Sequence, residues 1–269
     1  METKQKQVFV DTMTKEQLTK VKNRVLRNDR DFVCVIDGEE GSGKSVLAQQ
    51  LAAYIDPTFN IDRIVFNSDD FIKVIKDPKT KPGSAIVLDE AFSAANNRAS
   101  LSEVNRSMIG VATEMRQKNL IVFMLLPSFF DLDKYFALWR CRALFHVYFT
   151  EEEERRYIIF PKESKKMLFL TGKKTYDYNK TRSPLPPCKF FNTYTVDEQE
   201  YRDKKSTAFR KRTVSNQARN WMLQRNALVR FIYDNYGLSQ DDIARIPTNY
   251  GVKSIGQRQM STVLRNEYI

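Results

Sequence analysis

The sequence runs to 269 residues, 42% hydrophobic and 12% aromatic, which suffices for one good-sized core and a smaller appendage, and so for one or two domains. Its 44 Lys and Arg exceed its 33 Asp and Glu by a formal +11, and the excess is uneven: residues 202–269 hold 13 basic against 5 acidic side chains. A single histidine, His146, set in an apolar run and read as a packed strand residue, leaves serine-hydrolase and histidine-ligated metal chemistry without their parts.

Residues 1–7 are charged rather than signal-like, and no apolar run nears the roughly 20 residues that span a bilayer, so a cytoplasmic chain without membrane insertion is expected. A polar helical pattern covers residues 14–27. Short β-rich runs then follow at 32–36, 63–66, 85–88, 120–126 and 143–149, with helical patterns between them at 44–54, 69–75, 101–118 and 131–139. Near-continuous apolar strands separated by helices predict a mostly parallel sheet covered on both faces, a doubly wound α/β domain. Two further strands, 156–160 and 166–170, are expected around the turn at Pro161 as a small antiparallel addition.

The stretch 181–215, with three prolines near its start and no sustained apolar period, reads as a linker, which puts the first domain at residues 1–180. From Asn220 a helical period returns through Trp221, Leu223, Leu228, Phe231 and Ile232, and stops at Tyr236-Gly237. Ser239 with Asp242 three residues later is a capping signature for the next helix, and another is expected at 254–265. The tail, 216–269, is therefore a small basic helical domain. Cys34, Cys141 and Cys188 are odd in number and lack CxxC spacing, so they are expected to be plain thiols.

Residues 38–45 read GEEGSGKS, a complete G-x4-G-K-[ST] pattern placed between a strand and an apolar helix. Glycines there let backbone N–H groups converge on phosphate oxygens, and the helix N-terminus adds positive potential. Gly38, Glu39, Glu40, Gly41, Ser42, Gly43, Lys44, Ser45 and Val46 are thus the candidate cradle for ATP, with Lys44 reaching the β- and γ-phosphates and Ser45 ligating Mg²⁺. The apolar run AIVL ends in Asp89 and Glu90, which suit a magnesium-holding carboxylate and a general base for the attacking water. An acid pair there points to hydrolysis rather than nucleotide transfer.

One extra strand lies between the phosphate loop and the Asp89-Glu90 strand, and another follows, which resembles the additional-strand, catalytic-glutamate division of P-loop ATPases with its RecA-like sheet. Across residues 32–149, GEEGSGKS, IVLDEA, a helix containing Glu114-Met115-Arg116, NLIVFMLLPS, Asp131-Leu132-Asp133 and Trp139-Arg140 together resemble the FtsK–HerA superfamily. The likeness is to its compact zonula occludens toxin-like and viral DNA-packaging members. It implies a ring-forming motor acting on DNA. It also implies a polar sensor at the end of the fourth strand, where Ser128 stands, with a turn-forming serine as the other reading of that residue. Such motors take an arginine from a neighbouring subunit. Arg140 is favoured here over Arg98, Arg106, Arg116 and Arg142, a solvated surface arginine being the plain reading of each.

The basic tail suggests an anionic polymer as partner. Residues 238–245 resemble the first helix of a helix-turn-helix module, and Gln257, Arg258, Gln259, Ser261 and Arg265 form a face able to contact base edges or phosphates of double-stranded DNA. A helical oligomerisation or docking domain is the competing reading of the tail. The leading expectation is an ATP-hydrolysing DNA motor in a homo-oligomeric ring, with a hexamer among the options. An ATP-switched loader, or a regulator of transposition or replication, is the alternative, and a small-molecule kinase ranks third.

Overall fold

The computed structural model describes residues 9–89, 114–249, 256 and 263–264. Helix α1 (Thr12–Arg27) begins where the Asp11 carboxylate accepts the Met13 N–H at 3.0 Å, and it buries Thr14, Leu18 and Val25. Strand β1 (Phe32–Gly38) is buried along its whole length. It runs through the phosphate-loop residues into α2 (Lys44–Ile55). Next come β2 (Ile64–Val65), α3 (Ser68–Lys76), capped by the Asn67 side chain, and β3 (Ala85–Leu88). A helical turn at 114–117 leads to β4 (Ile121–Leu125), then β5 (Cys141–Phe149) and β6 (Arg155–Pro161).

The seven strands, β7 (Cys188–Lys189) included, form one sheet in the order β2-β3-β4-β1-β5-β6-β7. The five strands from β2 to β5 pair in parallel, while β6 and β7 add antiparallel. Strand alternation splits the core. Val33, Val35, Ile86, Leu88, Val122 and Met124 share one face with Phe71 and Ile75 of α3, so Cys34 and Ile36, the alternate residues of β1, point to the opposite face. The connection leaving β1 runs to β2 at one edge, whereas the connection leaving its neighbour β4 runs the other way, past β1 to β5, so the two diverge beside β1. In such sheets the crevice for a ligand opens at the carboxyl ends of the strands beside that divergence. This is where Gly38 ends its strand. The fold is thus a mostly parallel α/β sheet with flanking helices, as expected, and all three cysteines are free and buried.

Four sequence expectations change. Residues 166–170, expected as a strand, belong to helix α4 (Lys162–Gly172). Its buried positions, Lys165, Leu168, Phe169 and Gly172, follow helical spacing, so the run MLFL was too short for period 2 and period 3.6 to be told apart. The helix expected at 131–139 is instead a 3-10 turn (Phe129–Asp131) and a π-helical turn (Phe136–Arg140). The buried Lys165 ammonium holds that π turn by donating to the Ala137 and Leu138 carbonyls. Of the helix expected at 101–118, residues 101–113 lie outside the described residues.

The linker expected at 181–215 is in fact structured. It contributes β7 to the sheet edge, and at Glu198 it begins a 39-residue helix, α5 (Glu198–Tyr236). The chain divides into compact units after Lys205 rather than at 180. The second unit, 206–269, is helical among the described residues. It holds the rest of α5 and α6 (Gln240–Asn249), with Val229, Ile243, Ala244 and Val263 as its small buried cluster. Ser239 and Asp242 form the expected reciprocal cap: the Ser239 hydroxyl donates to the carboxylate at 2.6 Å and the Asp242 N–H returns to that hydroxyl at 3.2 Å. Among the described residues no helix is long and apolar enough to cross a membrane.

Candidate nucleotide site

The phosphate loop is built from backbone conformations that its glycines supply. Gly38, Gly41 and Gly43 have φ of 137°, 78° and 96°. At Gly38 an added Cβ would stand 2.1 Å from the Val147 carbonyl oxygen of β5, so the loop leaves the sheet through a gap that only a hydrogen fits. At Gly43 an added Cβ would lie 3.1 Å from the Phe190 ring and 3.3 Å from the Arg155 side chain. Gly43 is also the N-cap of α2 and offers no side-chain cap, and the first turn of α2 carries no acidic residue. The positive end of α2 therefore stays available to an anion.

Lys44 turns back over the loop, donating to the Gly38 carbonyl at 2.7 Å and the Glu39 carbonyl at 2.6 Å. Burial pushes its ammonium below the ordinary lysine value, against the pull of Asp37, Asp89 and Glu40, and the nearby Lys205 charge adds to the lowering. The Ser42 hydroxyl and the Arg155 Nε are two of the eight buried side-chain polar atoms that have no hydrogen-bond partner among the described residues. Buried polar atoms without partners are rare in folded proteins. These two flank a glycine cradle, an uncapped helix end and a lysine, a donor set that fits a polyphosphate. Glu39, Glu40 and Gly41 are exposed, and Val46 faces the core, leaving only its backbone for binding.

Asp37, the residue before the loop, is fully buried. Its carboxylate accepts the Phe129 N–H at 2.8 Å and the Tyr178 hydroxyl, and the His146 Nδ1 lies 2.9 Å away. The His146 ring stacks on Tyr178 with centroids 3.8 Å apart. His146 is thus a strand residue whose polar edge anchors the loop. Burial beside Asp37 raises the Tyr178 hydroxyl well above the usual tyrosine value, so it stays a donor. Ser128 follows the end of β4, where its hydroxyl accepts the Phe130 N–H at 3.2 Å and lies 3.2 Å from the Tyr178 hydroxyl. It caps the 3-10 turn, and it touches the hydroxyl that holds Asp37.

Asp89 stands one residue past β3 and is buried. Its N–H donates to the Val65 carbonyl at 2.8 Å, and its carboxylate accepts the Tyr201 hydroxyl at 2.5 Å. Ser45 lies close to that tyrosine, whose pKa burial and Asp89 drive far upward. Lys44, Ser45 and Asp89, predicted from 45 residues of separation, therefore meet at one edge of the sheet. Glu90, Arg98 and Arg106 lie outside the described residues, as do Gln257, Arg258, Gln259, Ser261 and Arg265.

Arg140 is placed elsewhere. It donates to Asp31 at 2.5 Å, a largely buried pair at the amino end of β1, whose seven residues put it roughly 20 Å from the loop. Arg142 begins β5 at that same end, and Arg116 is exposed on the turn before β4. The structure thus does not bring the favoured arginine to the cradle within one chain. Tyr201, Tyr178, Asp37, Arg155 and Phe190 were missed by sequence reasoning. The acid directly before the G-x4-G-K-S pattern was the one local clue among them.

No family model matches the sequence, and no curated protein matches it. Among solved structures, the N-terminal domain of zonular occludens toxin from Neisseria meningitidis aligns over 49% of this chain and 84% of that one, at 19% identity and a TM-score of 0.34. The VirB11 ATPase of the Brucella suis type IV secretion system, in complex with sulphate, aligns over 56% of this chain and 53% of its own, at 10% identity and a TM-score of 0.34. Likenesses this distant leave the meaning of the site to the residues just described.

Proposed function

We propose that the chain is a Mg²⁺-dependent ATPase that acts on double-stranded DNA as a homo-oligomer, moving or packaging the duplex. The observation that carries the ATPase part is the convergence of the Gly38–Gly43 cradle, Lys44, Ser45 and Asp89 on the carboxyl edge beside β1. In this reading the loop amides and the α2 N-terminus bind the β- and γ-phosphates, and Lys44 exchanges its two carbonyls for phosphate oxygens. Ser45 and Asp89 are the residues that would hold Mg²⁺, which supplies charge neutralisation at the phosphates. Glu90, following Asp89, is the base that orients and deprotonates the attacking water. Arg155, over Gly43 with an unpaired Nε, is a phosphate contact available within the same chain.

The DNA part rests on the charge of the tail and on the FtsK–HerA-like order of motifs, with 13 basic residues against 5 acidic from 202 onward. Residues 257–265 supply the side chains that contact base edges and phosphates in this proposal. ATP turnover measured with and without duplex DNA, beside the mass of the ATP-loaded assembly, tests it. Turnover stimulated several-fold by DNA in an oligomer is the expected result; turnover indifferent to DNA, with phosphate passed to a metabolite, overturns it in favour of a kinase. Replacing Arg258 and Arg265 by Ala should lower the salt slope of DNA binding by about 2.

A further inference from the structure

Tyr201 lies on the first turn of α5, in a segment that carries no part of the proposed chemistry, yet its hydroxyl reaches the Asp89 carboxylate. It donates to the Asp89 carboxylate at 2.5 Å, with Ser45 close by. We propose that the Tyr201 hydroxyl is a plug: it and the Mg²⁺ that accompanies a nucleotide compete for Ser45 and Asp89, so nucleotide loading must expel Tyr201 and release the start of α5. The proposal rests on the nucleotide reading above.

The exclusion follows from size and polarity. Magnesium takes oxygen ligands at about 2.0–2.1 Å in near-octahedral geometry and keeps several waters. A phenol oxygen hydrogen-bonded to Asp89 beside Ser45 would take the place of that ion or of one of its waters. The phenol also presents a proton toward Asp89, the direction from which a cation would have to be held. Tyr201 meets the two requirements of a plug, being buried and aimed at the ligands.

The rest of its surroundings holds the tyrosine in place without closing the site permanently. Its ring packs against Phe66 and Tyr194, with centroids 5.9 and 5.5 Å away. One turn on, the Lys204 ammonium donates to the Ile61 carbonyl at 2.7 Å. At the helix start, Asp197 accepts the Glu200 N–H at 2.8 Å. These contacts accompany the ring packing, and the hydroxyl links the helix to the Asp89 carboxylate.

Titration calorimetry of the full chain with a non-hydrolysable ATP analogue separates the readings. Tyr201→Phe keeps the ring packing and removes only the hydroxyl. It should bind the analogue roughly tenfold more tightly with Mg²⁺ present, about the effect of one hydrogen bond to a charged group, and equally well in EDTA. In the wild type, Mg²⁺ and analogue together should speed amide exchange over residues 199–205, and analogue in EDTA should not. Equal or weaker Mg²⁺-dependent binding by Tyr201→Phe would show that the hydroxyl orients Asp89 for the metal, and overturns the plug. So would unchanged exchange at 199–205 in loaded wild type. If Lys44→Ala binds the analogue as well as wild type does, the nucleotide reading itself has failed and the plug fails with it.

Discussion

The two edges of the sheet use charge in opposite ways. At the amino edge, side chains neutralise one another: Arg140 pairs with Asp31, and Asp56 accepts Arg63, the Thr58 N–H and hydroxyl, and the Ala85 N–H at 2.9 Å. Asp56 thereby ties the end of α2 to the start of β3. At the carboxyl edge the charged groups are satisfied by groups that can be exchanged. Lys44 is held by backbone carbonyls and Asp89 by a tyrosine hydroxyl. A closed edge stabilises and an open one binds, and partner identity separates the two more clearly than the number of charges does.

The largest test of that contrast is Asp56→Ala. It leaves the Ala85 amide and the Arg63 guanidinium without their acceptor and should cost about 3–5 kcal/mol in denaturant unfolding, with nucleotide affinity per folded molecule unchanged. Lys44→Ala is its mirror: turnover should fall on the order of 100-fold in a phosphate-release assay while the unfolding midpoint moves little. Arg140→Ala should cost about 1–3 kcal/mol of stability and leave turnover per folded subunit intact. If that variant instead folds normally but hydrolyses ATP only when mixed with a Lys44→Ala partner, Arg140 acts in trans, and the amino edge is not purely structural.

The smallest effect is a pH dependence. Burial lowers the Lys44 ammonium below its ordinary 10.5, so the unfolded chain holds that proton more tightly than the folded one. Between the lowered value and 10.5, folding stability should therefore gain from this group as pH rises, while nucleotide affinity falls because the ammonium is lost. Affinity and melting measured over the same alkaline range should show slopes of opposite sign, and parallel slopes would place the charge outside the phosphate site.

What the sequence made legible was local. The strands β1, β3, β4 and β5 show as buried apolar runs, and the loop shows because G-x4-G-K-S fixes backbone shape within eight positions. Asp89 shows because its strand ends in charge. The failures were non-local or ambiguous in period. Lys166 to Leu170 was too short a run to separate strand from helix, and the buried Leu168 and Phe169 fall at helical spacing from Lys165. Arg140 looked available because nothing near it in sequence announces Asp31, 109 positions away. Tyr201 is 112 positions from Asp89, in a polar stretch whose own pattern says only helix or linker.

The placement of β1 also bears on how the chain is made. Its two sheet neighbours, β4 and β5, emerge from the ribosome about a hundred residues after it. At typical synthesis rates that is on the order of 5–20 s during which the phosphate loop and the central strand exist without a sheet to hold them. A nascent chain stalled before residue 141 should bind no nucleotide, and it would present β1, wholly apolar from Phe32 to Ile36, to whatever chaperone stands at the exit.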